Sequence, residues 1–191
     1  MKWFYVLIVG LALFVISFGR YTITQDELNQ ALAKKFELPI SQDLSFSQGD
    51  ETIDVSMQIS MAELVLSSDQ GGLIQVRLKS QITGRLSLFT RQFELTSQII
   101  PRLETGIRLE QNRLYLVGPK LVGLEVAGSS FQDQMLRSVL PTIQTPLELA
   151  IKQHFDQQAV YLLEHSLLEK LVAVFASDIS VKQEMIELSL F

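Results

Sequence analysis

The chain has 191 residues, 47% hydrophobic and 19% charged, which excludes disorder and suits one domain with a real core. Its net charge of -5 comes from scattered acids without clustered Lys or Arg, which excludes nucleic acid as a partner. Cysteine is absent, so there is no disulfide framework, thiolate nucleophile or zinc-finger spacing.

The chain opens MKWFYVLIVGLALFVISFGR, with one cation, Lys2, before sixteen uncharged residues from Trp3 to Phe18. As a helix this run spans roughly 24 Å at about 1.5 Å per residue, longer than a usual signal-peptide core and marginal for a membrane span. Residues 1–20 are therefore expected to be a signal-anchor or a signal peptide. Ser17-Phe18-Gly19 offers a small-x-small cleavage site. The run stays apolar up to Phe18, however, with no polar stretch before the cut, which favours an uncleaved anchor. Either way residues 21–191 are expected to be an exported single domain.

YTITQDELNQALAKKF follows. Thr24 with Glu27 three residues later is a capping box, and Leu28, Leu32 and Phe36 form one stripe of a short helix that Pro39 closes. The period then switches to two. Ile53, Val55, Met57, Ile59 and Met61 alternate with polar residues. After a turn at Gly71-Gly72 so do Ile74, Val76, Leu78, Ile82, Leu86 and Leu88, and then Phe93, Leu95, Ile99, Leu103, Ile107 and Leu109. Gln111-Asn112 turns the chain into Leu114, Leu116, Val122, Leu124 and Val126. Such alternation predicts an antiparallel sheet with one apolar and one wet face. The patterns run about 14–17 residues against a usual mode of about 5–6, so the sheet must twist and coil around whatever covers it. Gly84, Pro101 and Gly118 fall on the inward phase as candidate bends or bulges.

Ser129 and Ser130 offer caps for a helix from about Phe131 to Phe155. Phe131, Met135, Val139, Ile143 and Leu147 trace one stripe, widened by Leu136, Leu140, Ile151 and Phe155, and Pro141 and Pro146 are expected to kink or divide it. AVYLL is a short buried strand. Ser166 with Glu169 is a second capping box, opening a helix that carries Leu167, Leu171, Val174 and Phe175, and MIELSLF reads as a last strand.

KQHFDQQAVYLLEH, Lys152 to His165, holds both histidines of the chain. His154 sits on the flank of the long helix's apolar sector, and His165 precedes the Ser166 cap. With a strand between them and no nucleophile paired to either, they read as structural. Gly118 and Gly123 have phosphate-loop spacing, but Leu124 stands where the lysine must be. No nucleophile elbow and no His-Glu-x-x-His occur. The sequence therefore predicts no enzyme, no cofactor, no catalytic residue and no metal site.

YTITQDELNQALAKKF, HFDQQAVYLLEH, Leu140-Pro141 and the ISVKQEMIEL ending together resemble the YceB-like family of bacterial envelope proteins, a family read as lipoproteins. That family is similar in architecture to the TULIP group of tubular lipid-binding proteins, in which a curled sheet wraps a long helix around an apolar channel. The resemblance implies a periplasmic lipid or apolar-ligand binder and not a catalyst. The chain departs from the lipoprotein pattern, because no Cys precedes Tyr21.

The expected fold is α+β and TULIP-like: a long, strongly curved antiparallel sheet wrapped around a long C-terminal helix, preceded by the apolar segment. The expected location is the periplasm, with residues 3–18 anchoring the chain in the inner membrane. The expected function is binding of a lipid or other apolar small molecule between sheet and helix. The lining candidates are Leu78, Ile82, Leu95 and Ile99 on the sheet, and Leu136, Leu140, Ile143 and Leu147 on the helix. Ser80, Gly84, Ser97 and Thr105, small on the inward phase, either leave a cavity or fit a crowded bend. The alternative is a structural or scaffold protein of the envelope that docks a partner without ligand.

Overall fold

The computed structural model describes residues 19–37, 39–48, 51–69, 72–88 and 91–190. Of the expected anchor or signal segment, residues 1–20, residues 1–18 lie outside the described residues, as does Gly71 of the expected turn, and Arg20 already belongs to the first strand. Among the described residues no helix is long and apolar enough to cross a membrane.

The chain enters through β1 (Arg20–Thr24) and passes directly into α1 (Gln25–Lys35). The expected capping box forms. Glu27 N–H donates to Thr24 Oγ1 at 3.3 Å, and the Glu27 carboxylate accepts from Thr24 N–H at 2.7 Å. Leu28, Leu32 and Phe36 are buried, as their spacing requires. After Pro39 comes β2 (Ile40–Gln48), which starts a six-stranded antiparallel sheet. It continues through β3 (Glu51–Ser67), β4 (Leu73–Leu88), β5 (Arg91–Glu110) and β6 (Arg113–Ala127), and ends with β7 (Ala159–Leu162), neighbours in that order.

A helix, α2 (Phe131–Gln157), lies against this sheet. It approaches β2 at one edge and β6 and β7 at the other, which is possible only because the sheet curls into a half-barrel. The 20 residues of β5 would extend about 65 Å if straight, at about 3.3 Å per residue, and coiling is what folds that length around one helix. Bulges add to the curl and reset the alternation. The β3–β4 register shifts at Ser60, so Ala62, Leu64 and Leu66 turn inward and Met61, expected inside, is exposed. The β5–β6 register shifts at Val122 and opposite Thr105, where Gly118 takes φ +57°. Leu121 is therefore buried, and Val122, expected inside, is half exposed. Pro101 does not bulge its strand. It lies where the β4–β5 pairing skips from Arg77–Arg102 to Ser80–Ile99, a gap that fits a residue with no N–H.

α2 is one helix through both prolines, so the expected division does not occur. Pro141 lies on the exposed side, where solvent can take the carbonyl it frees on Arg137. The buried stripe starts at Leu136 and runs through Val139, Ile143, Leu147, Ile151 and Phe155. Phe131, expected to head it, is 69% exposed. Its place on the inner side is taken by Asp133, which closes a capping box with Ser130 and accepts from Ser97 Oγ on β5 at 2.5 Å.

Beyond β7 come α3 (Leu167–Phe175), β8 (Asp178–Lys182) and β9 (Met185–Ser189). β9 pairs with both β8 and β1, giving a second, three-stranded sheet that joins the two ends of the described chain. Leu190 N–H also donates to the Gly19 carbonyl at 2.8 Å. Ile23, Ile186, Leu188 and Leu190 merge with the large sheet's apolar face, so one core runs through the domain.

Candidate functional site

Strand alternation places Leu78, Ile82, Leu95 and Ile99 on the concave face of the sheet. Helical spacing places Leu136, Ile143 and Leu147 on the inner face of α2. All seven are at most 2% exposed and belong to one apolar cluster. Leu140 packs against its margin, half-buried. The structure thus brings the eight sequence candidates around one interior, where they form the packing between sheet and helix.

The small inward residues separate into two groups. Ser97 holds Asp133, and Thr105 Oγ1 donates within 3.0 Å of both the Gly106 and Val117 carbonyls at the bulge. A Cβ at Gly84 would meet the carbonyl oxygen of Asp54 and lie 2.6 Å from Cα of Val55, so glycine is required there by backbone approach. These three positions have structural reasons. Ser80 is different: it is 5% exposed, and among the described residues its hydroxyl has no hydrogen-bond partner.

A separate groove of about 760 Å3 opens between α1, the start of β6, β7 and the start of α3. Lys34, Lys35 and Arg113 line it with Tyr161, His165 and Glu169. Lys35 Nζ donates to the Ala159 carbonyl at 2.7 Å, and burial lowers its pKa from 10.5. The groove ends at Glu169, a carboxylate only 5% exposed. It accepts from His165 N–H at 2.6 Å, Tyr161 Oη at 3.0 Å and Tyr21 Oη at 3.3 Å, with His165 Nδ1 at 3.2 Å. Burial acts to raise the Glu169 pKa. The bonds from His165 and Tyr161 outweigh it and hold the carboxyl below its usual range. Burial, then the charge of Glu169, pushes Tyr21 up to about 12, and burial with the Glu169 hydrogen bond drives Tyr161 higher still.

The expected second capping box is only half formed. Ser166 Oγ accepts from Glu169 N–H at 3.1 Å, but the Glu169 side chain turns to the residue before the cap and to two tyrosines. α3 is thereby inverted, with Glu169 and Val172 inside and Leu167, Leu171, Val174 and Phe175 outside. Sequence reasoning missed this role of Glu169. The available signal was the single acid in LLEKLVAVF with a tyrosine eight residues before it.

The histidines lie on different elements, as expected. His154 is half-buried near the end of α2, its pKa lowered by desolvation and by the charge of Lys35. His165 is exposed and packs on the Tyr161 ring at 5.4 Å. Replacing both by Gln is expected to cost less than about 1 kcal/mol near pH 7.5. Folded His154 resists protonation, so the wild type loses stability as pH falls below 6.5 and the variant loses less. Urea midpoints for both proteins at about pH 7.5 and about pH 5 check this. A collapse of the double variant at neutral pH would overturn the structural assignment. Among the described residues no cluster of three or more His, Asp or Glu could hold a metal.

A family model described as "Protein of unknown function (DUF1439)" matches residues 23–185. No curated protein sequence matches. A solved structure, described as the crystal structure of lipopolysaccharide binding protein, superposes with a TM-score of 0.38 and 12% identity. The match covers 90% of this chain and 48% of that one, so this chain spans about half its length.

Proposed function

The chain belongs to the DUF1439 family of proteins of unknown function, and on that premise we propose that it is a periplasm-facing envelope protein that binds a lipid or similarly apolar molecule between the curled sheet and α2. The observation that carries this reading is a continuous apolar interior between long strands and one helix, in which the buried Ser80 hydroxyl has no partner among the described residues. A buried orphan hydroxyl costs about 1–3 kcal/mol, and a bound molecule with a polar group supplies the missing partner. The YceB-like resemblance and the apolar run Trp3–Phe18 support the periplasmic side and the anchoring.

Native mass spectrometry of the full chain, purified from its own envelope, is expected to show a lipid-sized adduct. Ser80→Val is expected to lower its occupancy while leaving the lipid-free protein as stable as the wild type or more so. A wild type that carries no adduct and binds no fluorescent acyl probe would retire this reading.

A further inference from the structure

α3 presents its most apolar residues to solvent. Leu167 is 82% exposed, Leu171 45%, Val174 74% and Phe175 53%. At about 100° per residue these four occupy one continuous sector of about 100°, with the exposed Lys170 at its flank and Glu169 and Val172 opposite. The inversion is held from inside by Tyr21, Tyr161 and the His165 N–H on the Glu169 carboxylate, so the apolar face cannot turn inward without stripping that charge of its donors.

Two observations identify what covers this face. The first is position. The described chain begins at Gly19, and Tyr21, two residues on, reaches α3 directly through Glu169. The uncharged run Trp3–Phe18 therefore joins the domain beside α3. The second is area. Four partly exposed side chains on a nine-residue helix offer on the order of 400 Å2, well below the roughly 800 Å2 per partner of a stable protein interface. The same four suffice for an interfacial helix that lies shallowly among lipid headgroups beside an anchor, since the anchor already holds the domain at the surface.

We propose that the outer face of α3, through Leu167, Leu171, Val174 and Phe175, docks on the bilayer surface into which residues 3–18 insert. This rests on the anchoring half of the functional reading above and goes beyond it by fixing which side of the domain meets the lipid. The outer face of α3 carries one cation, Lys170, at its flank, so the contact is made by apolar insertion and is insensitive to lipid charge.

The absence of cysteine makes a single label unambiguous. Val174→Cys, labelled with an environment-sensitive fluorophore and reconstituted as the full chain in phosphatidylcholine vesicles, is expected to shift its emission to the blue. Shallow spin-labelled lipids should quench it, equally with and without anionic lipid. The same label at exposed Lys182, as Lys182→Cys, should stay water-like and serves as the control. A chain that does not float with the vesicles overturns both the anchoring and the docking. A chain that floats with a water-like label at 174 leaves the anchor standing and overturns the docking. A blue shift without lipid quenching means that protein, another copy or a partner, covers the face, and it overturns the docking equally.

Discussion

Glu169→Leu is expected to destabilise the domain by about 3–5 kcal/mol, because it strands three buried or half-buried donors at once. The His165 N–H and the hydroxyls of Tyr161 and Tyr21 lose the acceptor they share, and α3 loses what fixes its orientation. Tyr161→Phe should cost less, about 1–2 kcal/mol, since it removes one donor and leaves the carboxylate served by the others. The pH dependence follows from the same contacts. The Glu169 carboxyl sits below its usual range in the folded state, so its contribution is present above about pH 4.5 and is lost as pH falls through the folded value. Tyr21 is raised to about 12, so its contribution is present below pH 10 and is lost as pH rises from 10 through about 12. Urea midpoints across both windows measure these terms, and a Glu169→Leu protein as stable as the wild type would remove the cluster from any account of the fold.

Leu147→Ala is expected to cost about 2–5 kcal/mol, and Leu140→Ala, seven residues earlier on the same helix, about 1 kcal/mol. Leu147 is fully buried between α2 and the sheet, so truncation loses transfer energy and leaves a cavity that the surrounding strands cannot close. Leu140 is only half-buried at the margin of the core and sits one residue before a proline, where its neighbours can relax or water can enter. Denaturant unfolding of both variants, with unchanged slope, tests the pair. Equal costs would mean that the interior does not end where the structure draws its edge.

The fold was legible wherever the pattern is local. The Thr24–Glu27 box, the Gln111-Asn112 turn with Gln111 at φ 56°, and strands β3 to β6 with their inward faces all depend on residues within a few positions of one another. Of the eight lining candidates, seven are fully buried because a period of two or of 3.6 assigns a face without reference to what covers it. The misassigned strand positions have one cause. Met61 and Val122 lie at or beside register shifts, and a bulge reverses the phase of everything after it. Their placement depends on the partner strand, which no window along one strand contains. β2 was not anticipated, because the alternation of Ile40, Leu44 and Phe46 with polar neighbours is short beside the patterns that follow.

The orientation of α3 was not readable. An apolar stripe on a short helix reads as a buried stripe, and the sequence by itself determined only that LLEKLVAVF is amphipathic. Which side faces the protein was decided by Tyr21, 148 residues away from Glu169, and by Tyr161, whose hydroxyls make a buried carboxylate tolerable there. The long alternating strands and the helical stripe after them likewise determined a sheet and a helix that must bury their apolar faces together. The curling of that sheet from β2 to β7 around α2, the bolting of α2 to β5 through Asp133 and Ser97, and the pairing of β1 with β9 were decided only by the tertiary structure. The physical reason is the same in each case: periodicity is a property of neighbours in the chain, whereas the desolvation of a charge and the register of a strand are set by groups that only folding brings within reach.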